Sequence, residues 1–210
     1  TAVTQISPVS AAVAAFYNGE YQEEQLKTLV AFMHKTNEKI NAKIISVISD
    51  RPGTLALERA KKNNLPIEIC SKKEDLLPLL KTLNPDYVCL AGWKQIILPE
   101  AIDAFPNRIL NTHPGLIPDT LYGVVKNPDG TDAVWNKGKM TEAAIQNFLD
   151  CESSYAGCTN HFLTHEFDFG PVLGRCFEKI LSGDTVKSLY TRLKVKENEL
   201  YVEVLAKLCQ

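Results

Sequence analysis

The chain has no long apolar run and no recognisable targeting segment. A transmembrane helix needs about 18 or more consecutive apolar residues, and no run of that length occurs in the 210 residues. The Ala-rich opening, TAVTQISPVSAAVAAF, lacks the basic region that begins a secretory signal. These absences favour a soluble, cytoplasmic protein with no membrane partner.

Charge of either sign is scattered along the chain rather than gathered in a block. The 23 Lys and Arg residues are interspersed among 25 Asp and Glu residues, and the formal net charge is -2. Nucleic-acid-binding proteins usually carry a basic patch or stripe. We therefore expect no nucleic-acid partner, although a site for a single phosphate is still allowed.

Motifs for metals, disulfides and dinucleotides are also missing. The six cysteines show no C-x-x-C spacing, and four lie in apolar segments, so we interpret them as small buried side chains. No G-x-G-x-x-G follows the first strand, which disfavours a dinucleotide-dependent oxidoreductase. We expect no metal site, because the four histidines do not match a known ligand spacing: His34, His113, His161 and His165.

Short apolar strands alternate with amphipathic helices in the first half of the chain. The predicted strands are 13–19, 42–50, 65–70, 86–93 and 108–114, and the predicted helices are 22–39, 54–64, 73–84 and 99–105. This alternation with short connections is typical of a parallel sheet covered by helices on both faces. The pattern predicts an α/β fold with a doubly wound, mostly parallel sheet in one domain.

The second half departs from this alternation. Residues 122–143 are polar and loop-like, 141–150 have a helical pattern, and 155–180 suggest two strands joined by a loop around EFDFG. The last segment, 183–208, has helical spacing and forms either one long helix or a broken pair. We expect an antiparallel C-terminal strand pair followed by a C-terminal helix.

The stretch LNTHPGLIP (110–118) places polar side chains at the end of an apolar strand. Asn111 and His113 share strand parity and should face the same way, at the sheet edge where ligands bind in such folds. With Asp168 of the EFDFG loop, they could stabilise an oxyanion and move a proton, as acyl transfer to an amine requires. The alternative is that His113 is a satisfied structural residue and Asp168 caps a turn.

Four longer stretches carry a family resemblance: VISDRPGTLALERAKKNNLP (47–66), NPDYVCLAGWKQIILPE (84–100), RILNTHPGLIP (108–118) and AGCTNHFLTHEFDFGPVL (156–173). In this order they resemble the folate-dependent formyltransferases. The resemblance implies a Rossmann-like formyltransferase domain over 1–210, with a ribonucleotide-binding half at 13–105 and a catalytic, folate-binding half at 86–210. It also implies an enzyme of purine biosynthesis, with 10-formyltetrahydrofolate as formyl donor and the amine of glycinamide ribonucleotide as acceptor.

The same resemblance assigns roles to individual residues. Asn111 and His113 would polarise the formyl oxygen, and Asp168 would orient His113 and help to relay the proton of the attacking amine. The folate pocket would be lined by Trp93, Lys94, Gln95, Ile96, Ile97, Leu163, Thr164, His165, Glu166 and Phe167. The alternative for residues 90–98 is an ordinary strand running into a helix. Glu197 would bind the ribose hydroxyls, although by sequence pattern alone it is a solvated helix residue.

Two segments depart from the family pattern. The family's Gly-x-Gly-x-Asn phosphate loop is replaced by FYNGEYQEEQLKTL (16–29), in which only Asn18 and Gly19 remain as candidate ribonucleotide contacts. This segment is either a divergent phosphate site or a sign of a different acceptor. An insertion follows Pro118 and extends to about residue 140, and it would form a lid or the acceptor pocket.

Several functions therefore remain open from the sequence. The alternatives are a sugar-nucleotide N-formyltransferase, a formyltetrahydrofolate hydrolase and a non-catalytic folate-binding homologue. The expected partners are small molecules, folate and a ribonucleotide, and a homodimer is compatible with the sequence.

Overall fold

The structure is a computed structural model that describes the backbone of strand Val9–Ala15 and residues 42–210. The described residues form two compact units. One contains those up to Ile96 together with Leu205–Gln210, and the other contains Ile97–Val204. The expectation of one domain over 1–210, with overlapping halves at 13–105 and 86–210, stays a prediction.

Parallel strands build the first unit. They are β1 (Val9–Ala15), β2 (Ala42–Ser49), β3 (Ile67–Ile69) and β4 (Tyr87–Ala91). They pair in the order β3, β2, β1, β4, and each pair is parallel. In β2 the adjacent side chains Val47 and Ile48 are both fully buried. Burial on both faces is why this strand is a continuous apolar run without alternation.

Two helices connect these strands, and local capping fixes their ends. Helix α1 (Leu55–Lys62) begins after Thr54, whose hydroxyl caps the helix by accepting a hydrogen bond from the Leu57 N–H. Helix α2 (Leu76–Leu83) follows a 3-10 turn at Lys73–Asp75. It ends at Asn84, which adopts the left-handed conformation that Asn tolerates.

Antiparallel strands build the second unit. They are β5 (Ile109–His113), β6 (Tyr155–Phe162) and β7 (Val172–Lys179), and β6 pairs with both of the others. The β6–β7 pair confirms the expected C-terminal strand pair. The antiparallel pairing of β5 with β6 was not predicted, because a strand's apolar pattern does not say which way its neighbour runs.

The register of these three strands defines two faces, since directly opposite residues point to the same side. Asn111 lies opposite His161, and His113 lies opposite Thr159. We call the side with these four residues the front face. The alternate residues form the back face, which includes Thr112, Cys158, Asn160, Cys176 and Glu178.

Three helices complete the second part of the chain: α3 (Pro99–Ala104), α4 (Thr141–Asp150) and α5 (Val186–Leu208). α5 is one continuous helix, which settles the choice between one helix and a broken pair. It packs on the back face, where a Cβ added to Gly174 would lie 2.7 Å from Leu200 Cδ1. Arg192 of α5 also donates a hydrogen bond to Glu178, and Lys196 of α5 forms an ion pair with the same carboxylate.

The predicted fold class is confirmed by the parallel strands, the antiparallel strands and the C-terminal helix. The predicted helix at 22–39 and residues 16–19 of the predicted first strand lie outside the described residues, and β1 runs over Val9–Ala15. No helix of the described part is long and apolar enough to cross a membrane.

Candidate active site

The end of β5 positions the two polar side chains that the sequence singled out. Asn111 and His113 lie on the front face, as their parity predicted, and Pro114 then turns the chain. A hydrogen bond from the Gly115 N–H to the His113 carbonyl closes this turn at 2.9 Å. His113 is 2% exposed, so its ring is held almost entirely by protein atoms.

Both nitrogens of the His113 ring face acceptor oxygens. Nε2 lies 2.7 Å from the carbonyl oxygen of Trp135, and Nδ1 lies 3.5 Å from Oδ1 of Asp168. A carbonyl can only accept, so Nε2 carries a hydrogen and donates it to Trp135. The contact with Asp168 becomes an ion pair when Nδ1 is protonated as well. Asn111, His113 and Asp168 are thus brought together, as the sequence predicted.

Asp168 is held in a conformation that few residues adopt. Its φ is 48°, in the left-handed region that Asp visits more readily than most side chains. Its Oδ2 accepts a 2.7 Å hydrogen bond from the Gly138 N–H, and its carbonyl accepts one from Trp135 Nε1 at 3.0 Å. Burial alone would raise the pKa of Asp168, but the bond and charge of His113 and the Gly138 N–H outweigh it, so the pKa lies below its usual value. Asp168 is therefore a carboxylate at neutral pH.

Part of the insertion forms a wall of this site. We call residues 134–138 the Trp135 segment. The Val134 carbonyl accepts from the Leu116 N–H at 3.0 Å, and buried Asn136 donates to the Pro114 carbonyl at 3.0 Å. Together with the bonds of Trp135 and Gly138, these contacts tie the segment both to the turn after His113 and to Asp168.

Gly115 makes the approach of the Trp135 segment possible. A Cβ at this position would lie 1.8 Å from the Trp135 carbonyl oxygen and 2.8 Å from His113 Nε2. No side chain fits in that space, so glycine is required by close packing of two backbone segments. The glycine of the H-P-G turn therefore lets the Trp135 carbonyl reach the His113 ring.

His161 is a site residue that sequence reasoning missed. It is fully buried on the front face, and its Nε2 lies 3.3 Å from Nδ2 of Asn111. Its Nδ1 donates to the Phe162 carbonyl at 3.0 Å, so Nε2 is the acceptor for the Asn111 amide. Burial, and then the nearby charge of His113, lowers the pKa of His161 to about 4. A neutral His161 thus orients Asn111 and leaves its second amide hydrogen for another acceptor.

The predicted folate residues fall in both compact units. Trp93, Lys94, Gln95 and Ile96 follow β4 in the first unit, where Gln95 donates to the Ser71 carbonyl and Ile96 is 66% exposed. In the second unit Ile97 is buried, and Leu163 through Phe167 form the loop between β6 and Asp168. Within that loop Phe167 is 60% exposed. Their joint role in binding folate stays a prediction.

The predicted ribonucleotide contacts have different outcomes. Asn18 and Gly19 lie outside the described residues. Glu197 is 5% exposed and accepts a 2.6 Å hydrogen bond from the equally buried Lys194, so the expectation of a solvated helix residue is wrong. The residue faces β6, since its charge acts on the thiol of Cys158 on the back face. Its role toward ribose stays a prediction.

The site contains the kinds of group that acyl transfer uses. It combines an oriented amide, an imidazole and a carboxylate around the end of one strand. Among residues 42–210, no group of three or more His, Cys, Asp or Glu side chains could hold a metal ion.

Comparison with known proteins agrees with this chemistry. The profile of the formyl transferase family matches residues 13–205. Phosphoribosylglycinamide formyltransferase of Arabidopsis thaliana, a chloroplast protein, is 26% identical over 94% of this chain and 70% of its own length. The trifunctional purine biosynthetic protein adenosine-3 of Chironomus tentans is 28% identical over 86% of this chain, which spans 12% of that longer protein.

Solved structures give the same result. Glycinamide ribonucleotide transformylase 1 of Symbiobacterium toebii is 27% identical, with a TM-score of 0.78 over 100% of this chain and 91% of its own. The corresponding enzyme of Geobacillus kaustophilus is 25% identical, with a TM-score of 0.75 over 97% of this chain and 100% of its own. The resemblance that the sequence motifs suggested is confirmed, and the chain belongs to the formyl transferase family.

Proposed function

We propose that this enzyme transfers the formyl group of 10-formyltetrahydrofolate to the amine of glycinamide ribonucleotide, a step of purine biosynthesis. The observation that carries the proposal is the meeting of Asn111, His113 and Asp168 at the end of β5. The names of the relatives support the acceptor, because they specify phosphoribosylglycinamide or glycinamide ribonucleotide. The cytoplasm stays the predicted location.

In the proposed reaction the acceptor amine attacks the formyl carbon, and negative charge develops on the formyl oxygen. The free amide hydrogen of Asn111 and the Nε2–H of His113 are the donors that stabilise this oxyanion. Preorganised donors of this kind each contribute about a hundredfold or more to the rate. His161 fixes the Asn111 amide beforehand, so little reorganisation is needed at that donor.

Before His113 can donate to the substrate, its Nε2–H has to exchange one hydrogen-bond acceptor for another. Its Nε2–H is bonded to the Trp135 carbonyl, so the formyl oxygen has to replace that carbonyl before the ring can stabilise the oxyanion. Asp168 is a carboxylate when the amine attacks, since its pKa lies below its usual value. The proton lost by the attacking amine would pass to this carboxylate and then to the folate nitrogen that leaves, as general acid–base catalysis requires.

The remaining predicted residues would bind the two substrates. Trp93–Ile97 and Leu163–Phe167 would surround the folate, and Glu197 would bind the ribose hydroxyls. For Glu197 to do so, its carboxylate must share or release Lys194, since that pair is buried. Asn18 and Gly19 are proposed to lie near the phosphate.

The proposal is tested by measuring formyl transfer with purified protein and following the absorbance of the folate. One reaction contains glycinamide ribonucleotide and the other contains no acceptor. Turnover that depends on the acceptor is the expected result. Turnover without an acceptor would identify a hydrolase, and folate binding without turnover would point to another amine or to a non-catalytic protein.

A further inference from the structure

Two cysteines face each other across β6 and β7 on the back face. Cys158 and Cys176 are directly opposite in the antiparallel register, and their Sγ atoms lie 3.1 Å apart. Both are free thiols, and the proposed formyl transfer uses neither of them. Cys70, Cys89 and Cys209 are buried, and Cys151 is exposed.

The pairing of Cys158 with Cys176 across two antiparallel strands gives a backbone separation that a disulfide can span. Opposite residues of antiparallel strands have Cα atoms about 4.5 or 5.5 Å apart, depending on the hydrogen-bonding position. Disulfides span Cα separations of about 4.4 to 6.8 Å. The sulfurs therefore need to approach by about 1 Å to reach the usual S–S length, which small side-chain rotations can supply.

The two thiols differ in their access to solvent. Cys158 is fully buried, whereas Cys176 is partly exposed. Burial, and then the hydrogen bond with Cys176, raises the pKa of the Cys158 thiol well above its ordinary value. An external reagent would therefore reach Cys176 first, and Cys158 would react only with a sulfur already placed beside it.

We propose that Cys158 and Cys176 form a reversible cross-strand disulfide by exchange with a low-molecular-weight disulfide. The Cys176 thiolate attacks one sulfur of that reagent, forms a mixed disulfide and expels one small thiolate. Cys158 then attacks Cys176 Sγ, and its proton passes to the second small thiolate, which leaves as a thiol. The two protein thiols are oxidised, and one small disulfide is reduced to two thiols.

The link would join the middle of the two strands of the hairpin that presents Asp168. Residues 159–175 lie between the two cysteines, and they include the end of β6, the Asp168 loop and the start of β7. The sulfurs are on the back face, while Asn111 and His113 are on the front face. The disulfide would therefore hold the two strands together without touching the polar groups of the site.

The experiment treats the folded protein with oxidised glutathione, alkylates the remaining thiols after unfolding, and locates each modification by peptide mass spectrometry. Wild type should lose alkylation at both Cys158 and Cys176 and yield one linked peptide pair, which dithiothreitol separates. Exposed Cys151 should carry a glutathione adduct and shows that the reagent was active. Cys151→Ala is the matched control and should form the same internal link.

Cys158→Ala tests the order of the two steps. This variant lacks the second nucleophile, so Cys176 should keep a glutathione adduct that wild type does not keep. The proposal is overturned if Cys151 is modified in wild type while Cys158 and Cys176 are both still alkylated. It is also overturned if Cys176 of wild type keeps the same stable adduct as the variant.

Discussion

The two faces of β5, β6 and β7 are made from alternate residues of the same strands, yet their polar groups are organised differently. On the front face Asn111, His113 and His161 are joined by hydrogen bonds to one another or to backbone carbonyls. One amide hydrogen of Asn111 is left for another acceptor. On the back face α5 covers the strands and contributes the buried pair of Lys194 and Glu197.

This difference indicates that the front face serves the reaction and the back face serves packing. The front face keeps its donors oriented by turns and loops, which can exchange a hydrogen bond for a substrate atom. Around Lys194 and Glu197 the back face is covered by a helix, so each buried charge there needs a permanent partner. Substitutions on the front face should mainly reduce turnover, and substitutions on the back face should mainly reduce stability.

The largest effect is expected from the contact between His113 and Asp168. His113→Ala and Asp168→Asn should each lower kcat by about a thousandfold or more, since they remove an oxyanion donor or the carboxylate beside it. Formyl transfer assays give kcat, and urea unfolding curves show whether the fold is intact. Asp150→Asn, an exposed Asp at the end of α4, is the control and should keep wild-type turnover. Near-normal activity of either site variant would show that the assigned mechanism is wrong.

On the back face, Lys194→Met should lower the free energy of unfolding by about 3 to 5 kcal/mol, because Glu197 is left as a buried charge without this partner. Replacing both residues, as in Lys194→Met with Glu197→Leu, should recover most of that loss. The matched control is Lys126→Met, which breaks an exposed pair with Asp132 and should leave stability nearly unchanged. If Lys194→Met and Lys126→Met lowered the free energy of unfolding equally, burial of the Lys194–Glu197 pair would make no difference to its contribution.

The sequence predicted the parts of this comparison that depend on local pattern. The strand containing Asn111 and His113, their shared face and the helix at Thr141–Asp150 follow from apolar spacing and agree with the structure. The Asp168 loop followed from the two strands around it. These features need only the period of a strand or a helix and a turn signal.

The features that were missed depend on pairing and on backbone atoms. His161 is a site residue because β6 runs antiparallel to β5, and no local pattern gives that direction. Trp135 acts on His113 through its carbonyl, which every residue type carries, so its side chain gives no signal. Glu197 looks solvated in the sequence because nothing there shows that its side of α5 faces β6.

A smaller effect on stability should appear when pH changes the charge of His161. Its pKa is about 4 in the folded protein and about 6.5 in the unfolded chain, so the unfolded chain binds more protons between these values. Above pH 6.5 His161 is neutral in both states, and the free energy of unfolding does not change with its protonation. As the pH falls to about 4, the free energy of unfolding decreases by about 3 kcal/mol.

The measurement compares urea unfolding of wild type and His161→Asn at several pH values between 7 and 4. Groups common to both proteins cancel in the difference, so wild type should lose stability relative to the variant as the pH falls. Parallel curves would show that His161 is not held neutral by burial. A fall in kcat of the same variant at pH 7 would reflect its contact with Asn111.

The smallest expected effect comes from Gly115→Ala, which tests whether the Trp135 segment positions the front face. The new Cβ would meet backbone atoms of Trp135, so the segment must shift, at about 1 to 3 kcal/mol of stability. The shift would weaken the bonds to His113 and Asp168, and we expect kcat to fall by about tenfold or more. Gly123→Ala is the control, because the atom nearest its Cβ would be the Thr120 hydroxyl, which can rotate away, and the Thr120 carbonyl oxygen would lie 3.1 Å away rather than at the 1.8 Å found for Gly115. Unchanged kcat in Gly115→Ala, together with a stability loss, would mean that the segment only packs against the site.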